Sequence, residues 1–130
     1  MDSASNERLV RDVYAAQANG DLDTYVSHLT EDFTLHIPGR SQIAGHYVGA
    51  AEVRRHFAEI ALLSGGSFQT EIHDVLASAD HVVGLIEAKA QRDGGWVELP
   101  RVHLWHMRAG KLAELWLHPV DQYVFDAYWQ

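Results

Sequence analysis

The stretch that decides the fold runs from Trp96 to His118 and reads WVELPRVHLWHMRAGKLAELWLH. Apolar and polar residues alternate on both sides of Ala109-Gly110, a pattern typical of two long antiparallel strands joined by a tight turn. With a two-residue turn, Arg108 lies opposite Lys111. The further predicted pairs are Trp105 with Glu114, His103 with Trp116, and Arg101 with His118.

Side chains alternate between the faces of a sheet, so these last six residues are predicted to share one face. That face would hold two imidazoles, two indoles, a guanidinium and a carboxylate, and it is the place where the sequence predicts chemistry. The opposite face would be mainly apolar, with Val102, Leu104, His106, Leu115 and Leu117.

The preceding strand is predicted to add small and apolar residues to the face that holds His103. With Asp93-Gly94 at the centre of its turn, Gly84, Ile86 and Ala88 fall on the face of His103. Glu87 would point away from it.

Length, net charge and cysteine content limit the classes of protein to which this sequence can belong. The 130 residues are enough for a single domain with its own core, and the domain is expected to span 1–130. The net charge of -8 argues against nucleic acid and anionic membrane surfaces as partners. The sequence contains no cysteine, which excludes disulfides and thiolate chemistry, and no apolar run is long enough for a membrane span. The expected location is cytoplasmic.

Helical spacing dominates the first half of the chain and strand alternation the second half. This order predicts an α+β domain with helices on one face of an antiparallel sheet. The predicted elements in chain order are a helix capped by Ser5 or Asn6, a helix capped by Asp21, a strand over 33–37, an irregular segment over 40–48, a helix over 50–63, strands over 68–77 and 81–91, the hairpin, and a short helix from Asp121.

Three runs of sequence resemble the SnoaL-like branch of the NTF2-like superfamily. They are ANGDLDTYVSHLTEDFTLHIPG, IAGHYVGAAEVRRHF and GKLAELWLHPVDQYVFDAYW. The superfamily includes ketosteroid isomerases, limonene-epoxide hydrolases, scytalone dehydratases and SnoaL-type polyketide cyclases. The resemblance implies a cone: a strongly curved antiparallel sheet with the N-terminal helices on its concave face, a pocket at one end, and dimerisation through the outer face.

The resemblance to ketosteroid isomerases does not extend to their catalytic residues. Their oxyanion tyrosine aligns with Val13, one position from Tyr14, and their basic aspartate aligns with Ile37. Their protonated aspartic acid aligns with His103. Steroid isomerisation is therefore not expected.

The limonene-epoxide hydrolases match in part. Their motif Leu-Trp-Arg-Asp-Tyr-Phe-Asp corresponds to residues 115–121, which places their catalytic aspartate on His118. Their water-holding asparagine falls on His36, and their Arg-x-Asp pair is absent from 81–91. Both comparisons imply that His103 and His118 are pocket positions.

Two classes of function remain open. The first is a cofactor-independent acid–base enzyme (isomerase, dehydratase, cyclase or epoxide-opening) that acts on a small apolar molecule, because histidine exchanges protons near neutral pH. The second is a non-catalytic ligand-binding or dimerisation module. The candidate catalytic residues are His36, His103 and His118. The candidate substrate-binding residues are Tyr14, Ile37, Ile86, Arg101, Trp105 and Trp116.

Metal and cofactor sites are not expected, because the sequence has no HxH or HExxH motif and the resembling enzymes mostly work without a cofactor. The expected partners are a small apolar molecule in the pocket and a second copy of the chain.

Overall fold

The computed structural model describes residues 2–130 and contains four helices and seven strands in this part of the chain. The helices are α1 (Ser3–Ala18), α2 (Leu22–Ser27), α3 (Gly49–Leu63) and α4 (Gln122–Tyr128). The strands are β1 (Leu29–Ile37), β2 (Gly45–Val48), β3 (Gln69–Ala77), β4 (His81–Arg92), β5 (Gly95–Glu98), β6 (Arg101–Arg108) and β7 (Lys111–Pro119).

All seven strands belong to one sheet of order β2-β1-β7-β6-β4-β3, with β5 paired to β4. The expected α+β class and curved sheet are confirmed. The sheet is mixed rather than purely antiparallel, because β1 pairs with β7 in parallel. We call the side of the sheet that faces the helices the inner face and the opposite side the outer face.

The hairpin of β6 and β7 has the predicted turn but not the predicted register. Ala109 and Gly110 have φ angles of 52° and 78°, as a tight hairpin turn requires, and Arg108 pairs with Lys111. A bulge follows, because Met107 pairs with Leu112 whereas His106 pairs with Glu114. The extra residue reverses the orientation of all later residues of β7.

The bulge divides the six residues that were predicted to share a face. Arg101, His103 and Trp105 lie on the inner face, opposite Pro119, Leu117 and Leu115. Glu114, Trp116 and His118 lie on the outer face, opposite His106, Leu104 and Val102. The prediction for β6 and the prediction that Gly84, Ile86 and Ala88 share its inner face are confirmed. The prediction for β7 is wrong.

Several element boundaries differ from the prediction for local reasons. Asp2 caps α1, since its carboxylate accepts from Ser5 N at 2.8 Å, whereas the buried Asn6 donates to the carbonyls of Ser78 and Ala79. Asp21 caps α2 as expected.

The first hairpin strand is divided into β5 and β6 before Pro100, which lacks a backbone donor. The segment 40–48, expected to be irregular, contains β2.

Helix α1 packs against β3 and β4, and α3 packs against β1 and β2. Their apolar sides cover the inner face and form one core with it. None of the helices in residues 2–130 combines the length and apolar character needed to cross a membrane.

Candidate functional site

A narrow cavity of about 40 Å³ lies between the inner face and the helices. It adjoins a wider opening of about 500 Å³ beside α1 and α3, and the two share five lining residues. These are Gln17, Phe57, Ile60, Phe68 and Thr70. We call the narrow part the inner cavity and the wide part the vestibule. Together they form a funnel that narrows towards the sheet.

His103 of β6 lines the inner cavity, and residues of α1 and β6 together fix its orientation. Tyr14 Oη lies 2.8 Å from His103 Nδ1, and Trp105 Nε1 donates to the same Tyr14 oxygen at 2.9 Å. All three side chains are buried. Gly84 permits this arrangement, because a Cβ there would lie 2.2 Å from the Tyr14 oxygen.

The hydrogen bonds around Tyr14 define the tautomer of His103. Tyr14 Oη accepts from the Trp105 indole and has one proton of its own to donate. His103 Nδ1 is its acceptor, so the imidazole proton of neutral His103 is on Nε2. Nε2 makes no hydrogen bond with any residue in 2–130, and its N–H is available to a ligand.

Burial sets the charge of this histidine. It lowers the pKa of His103 to about 3, and the nearby positive charge of Arg101 acts in the same direction. His103 is therefore neutral at pH 7 and offers a hydrogen-bond donor to the cavity. Burial also raises the pKa of Tyr14 well above its usual value, so its hydroxyl keeps its proton.

Arg101 brings a buried cation to the same cavity, and it forms no ion pair with a carboxylate of residues 2–130. Its Nε donates to the carbonyl of Leu99 at 3.0 Å, and its guanidinium lies 5.1 Å from the Phe68 ring and 5.5 Å from the Phe125 ring. Its Nη2 is buried and has no partner within residues 2–130. Burial lowers its pKa to about 10, which leaves the group charged at pH 7.

His56 is a titratable cavity residue that was not among the candidates predicted from the sequence. It is buried on α3, lines the inner cavity, and its Nδ1 has no hydrogen-bond partner among the described residues. Burial, followed by the charges of Arg101 and Arg55, lowers its pKa to about 4. The signal was present, because Val53, His56 and Ile60 follow the spacing of a buried helix face.

The structure separates the predicted site residues into an inner and an outer group. Ile37, Arg101 and His103 line the inner cavity. Tyr14, Ile86 and Trp105 are buried beside it without lining it. His36, Trp116 and His118 lie on the outer face.

The expected pocket shared by His103 and His118 is therefore not present. His118 is exposed, and the bulge in β7 directs it away from the cavity. His36 is also outside, because its neighbours Leu35 and Ile37 occupy the inner face of β1. The ring of His36 stacks on Trp116 at 5.3 Å, and its two nitrogens contact Glu114 and His46 at 2.7 Å each.

Within residues 2–130, no group of three or more histidine and carboxylate side chains is arranged to hold a metal ion. Among the described residues that line the inner cavity there is no Asp or Glu, and Arg101 is the charged one at pH 7.

Comparisons with known proteins agree with this architecture. The sequence model of the SnoaL-like domain matches residues 10–115. The uncharacterised protein Rv0034 of Mycobacterium tuberculosis is 25% identical over 122 residues, which cover 93% of each chain.

Among solved structures, Bal32a from a soil-derived mobile gene cassette superposes with a TM-score of 0.92 at 29% identity, over 98% of each chain. TerC, co-crystallised with polyporic acid, superposes with a TM-score of 0.84 at 22% identity, over 95% of this chain and 97% of its own. The second similarity concerns the fold alone.

Proposed function

Because this chain belongs to the SnoaL-like domain family, we propose that its funnel is the active site of a cofactor-independent acid–base enzyme. The substrate is a small, mainly apolar carbonyl compound. The observation that carries the proposal is the hydrogen-bonded series from Trp105 through Tyr14 to His103, which ends at the inner cavity. Such a series fixes one imidazole tautomer and one ring orientation in advance of binding.

The proposed reaction begins with proton removal next to the carbonyl group. The C–H bond breaks, its proton passes to His56, and its electron pair moves to the carbonyl oxygen. The developing oxyanion accepts a hydrogen bond from His103 Nε2. Protonated His56 then gives up this proton in one of three ways. Its return to a different carbon gives isomerisation, its transfer to a departing β-hydroxyl releases water and gives dehydration, and its transfer to the oxygen of a second carbonyl attacked by the enolate carbon gives cyclisation.

The roles of the other predicted residues change under this proposal. His103 remains a catalytic candidate, now as an oxyanion donor rather than a base, and His56 replaces His36 and His118. Tyr14 and Trp105 are positioning residues, because they act through His103. Ile37 supplies apolar wall to the cavity.

The proposal is tested by hydrogen exchange on a simple substrate. We expect the protein to accelerate deuterium incorporation next to the carbonyl of 2-tetralone in D₂O, measured by proton NMR. His103→Asn should lower the acceleration about 100-fold or more. Asn can still accept the Tyr14 hydrogen bond but lacks the nitrogen that reaches the cavity. His118→Gln on the outer face is the matched control and should retain full activity.

Absence of acceleration by the wild type, or an equal loss in both variants, contradicts the enzyme proposal. The second candidate, a non-catalytic binding protein, would then be preferred. It is favoured by the low pKa of His56, about 4, which makes this residue a weak base, and by the lack of any Asp or Glu among the described residues that line the inner cavity. Binding without turnover would be its signature.

We further propose that two copies of the chain associate through the outer face. The support is the position of Leu104 and Trp116, which are only partly buried on the side of the sheet that α1 and α3 leave uncovered.

A further inference from the structure

The guanidinium of Arg101 is an uncompensated charge at the narrow end of the funnel. Removing a cation from water costs several kcal/mol unless a counter-charge or a full set of hydrogen bonds replaces the water. Arg101 has one carbonyl contact and two aromatic rings, and its buried Nη2 has no partner. None of the salt bridges in residues 2–130 includes Arg101.

A second unpartnered group lines the same inner cavity. His56 lines this cavity together with Arg101, and its buried Nδ1 has no hydrogen-bond partner within residues 2–130. Among the described residues, Arg101 Nη2 and His56 Nδ1 are thus two buried nitrogens at this cavity without a hydrogen-bond partner. Buried polar atoms without a partner are costly, and a ligand that pairs with them recovers that cost.

The two widths of the funnel indicate how such a ligand is shaped. The inner cavity of about 40 Å³ is large enough for one small polar group and too small for a ring. The vestibule of about 500 Å³ has the size of a small-molecule site and is lined in part by Leu22, Phe57 and Phe68. A compact head at the inner end and an apolar body in the vestibule would fill both.

From these features we propose that the funnel selects an apolar molecule that carries a carboxylate or an equally compact oxyanion, and that Arg101 binds this group in the inner cavity. The inference rests on the proposed function only in that the same funnel receives the ligand. It defines the substrate class more narrowly, as an organic acid or an acidic enol rather than a neutral apolar compound. A guanidinium is suited to such a group, because its planar donors match a carboxylate.

The test uses a matched pair of probes, 2-naphthoate and its neutral isostere 2-naphthamide, with dissociation constants measured by calorimetry at pH 8. The wild type should bind naphthoate about tenfold more tightly than naphthamide or better. Arg101→Met should weaken naphthoate binding by at least about tenfold and change naphthamide binding by no more than about twofold. Arg40→Met is the control, because it removes the same charge from an exposed position outside the funnel.

Several outcomes would overturn the proposal. They are equal affinity of the wild type for both probes, unchanged preference in Arg101→Met, and an equal loss of both probes in that variant. If Arg101→Met does not unfold cooperatively, a structure of the wild type with naphthoate decides. A carboxylate in contact with Arg101 Nη2 supports the proposal, and a carboxylate elsewhere refutes it.

These results are independent of the exchange experiment. Selective naphthoate binding without exchange activity would refute the enzyme and leave an organic-acid binding protein. Exchange activity without selectivity for naphthoate would refute only the role of Arg101.

Discussion

His56 and His103 are neutral in the folded protein for the same two reasons, burial and the charge of Arg101. Their pKa values lie at about 4 and about 3, compared with 6.5 for an ordinary histidine. Below pH 6.5 the unfolded chain therefore binds protons that the folded chain cannot take up. Stability from this source is complete above pH 6.5 and decreases as the pH falls towards the folded values.

This linkage predicts the effect of replacing His56 with leucine. As the pH falls from 6.5 towards 4, the wild type should lose stability relative to His56→Leu, by up to about 1.4 kcal/mol per pH unit. The measurement is urea unfolding at a series of pH values between 4.5 and 8. Above pH 7.5 the difference between the two proteins should be constant, which is the internal control. A constant difference down to pH 4.5 would show that His56 is not buried.

Single residues also show which parts of the site could be predicted from the sequence. Alternation along β6 correctly placed Arg101 and His103 on one face, because the burial of that strand alternates from end to end, and the family resemblance implied that this face lines the pocket. The absence of a charge partner for Arg101 could not be predicted, since it depends on residues from distant elements. His56 followed the apolar spacing of α3 and could have been found there.

At the scale of elements, one extra residue in β7 separates the prediction from the structure. Leu112 and Ala113 are both buried and adjacent, so the alternation of β7 is interrupted between Lys111 and Glu114. This apolar pair was the sequence signal of a bulge. Alternation alone does not show where a strand register shifts. Because of this one-residue shift, Glu114, Trp116 and His118 lie on the outer face rather than on the predicted inner face.

The contact between α1 and β4 gives the prediction at this scale. A Cβ at Gly84 would lie 2.2 Å from Tyr14 Oη and 3.1 Å from its Cζ. Gly84→Ala should therefore destabilise the fold by about 1–3 kcal/mol, as other overpacking changes do. Gly95→Ala is the control, because a Cβ there meets nothing within 4 Å, and its effect should be within about 0.5 kcal/mol.

A double-mutant cycle with Tyr14→Phe shows which atom is responsible. Removal of the hydroxyl relieves the closest contact, so Gly84→Ala should cost less in the Tyr14→Phe background than in the wild type. The readout is the free energy of unfolding in denaturant. Additive effects would mean that β4 and α1 do not meet at the Tyr14 hydroxyl.

At the scale of the whole molecule, the outer face carries a row of polar side chains across five neighbouring strands. Its members in strand order are His46, His36, Glu114, His106 and His81. Rings stack at one end of the row, with His81 and His106 5.1 Å apart. The proposed interface between two copies would enclose this row together with Trp116.

The dimer prediction follows from that surface. Sedimentation at micromolar concentration should show a species of twice the 14.6 kDa chain mass. Trp116→Glu should shift it to the monomer, because it replaces a large apolar contact surface with a charge that association would have to remove from water. Tyr123→Glu, which changes a highly exposed aromatic residue on α4, is the control and should remain dimeric. A wild type that sediments as a single 14.6 kDa species contradicts the prediction.

The parallel pairing of β1 with β7 has a consequence for the order of folding. His36 and Glu114 are in contact although they are 78 residues apart in the sequence. The pairing of β1 with β7 therefore needs most of the chain to be present. The hairpin of β6 and β7 needs only local contacts and can form early. The pairing of β1 with β7 must first overcome the entropy cost of closing a long loop. Until β1 pairs with β7, the inner cavity lacks the wall that β1 contributes, and apolar strand surface is exposed to association with other chains. In this order of folding, the inner cavity is completed by the last pairing of the sheet.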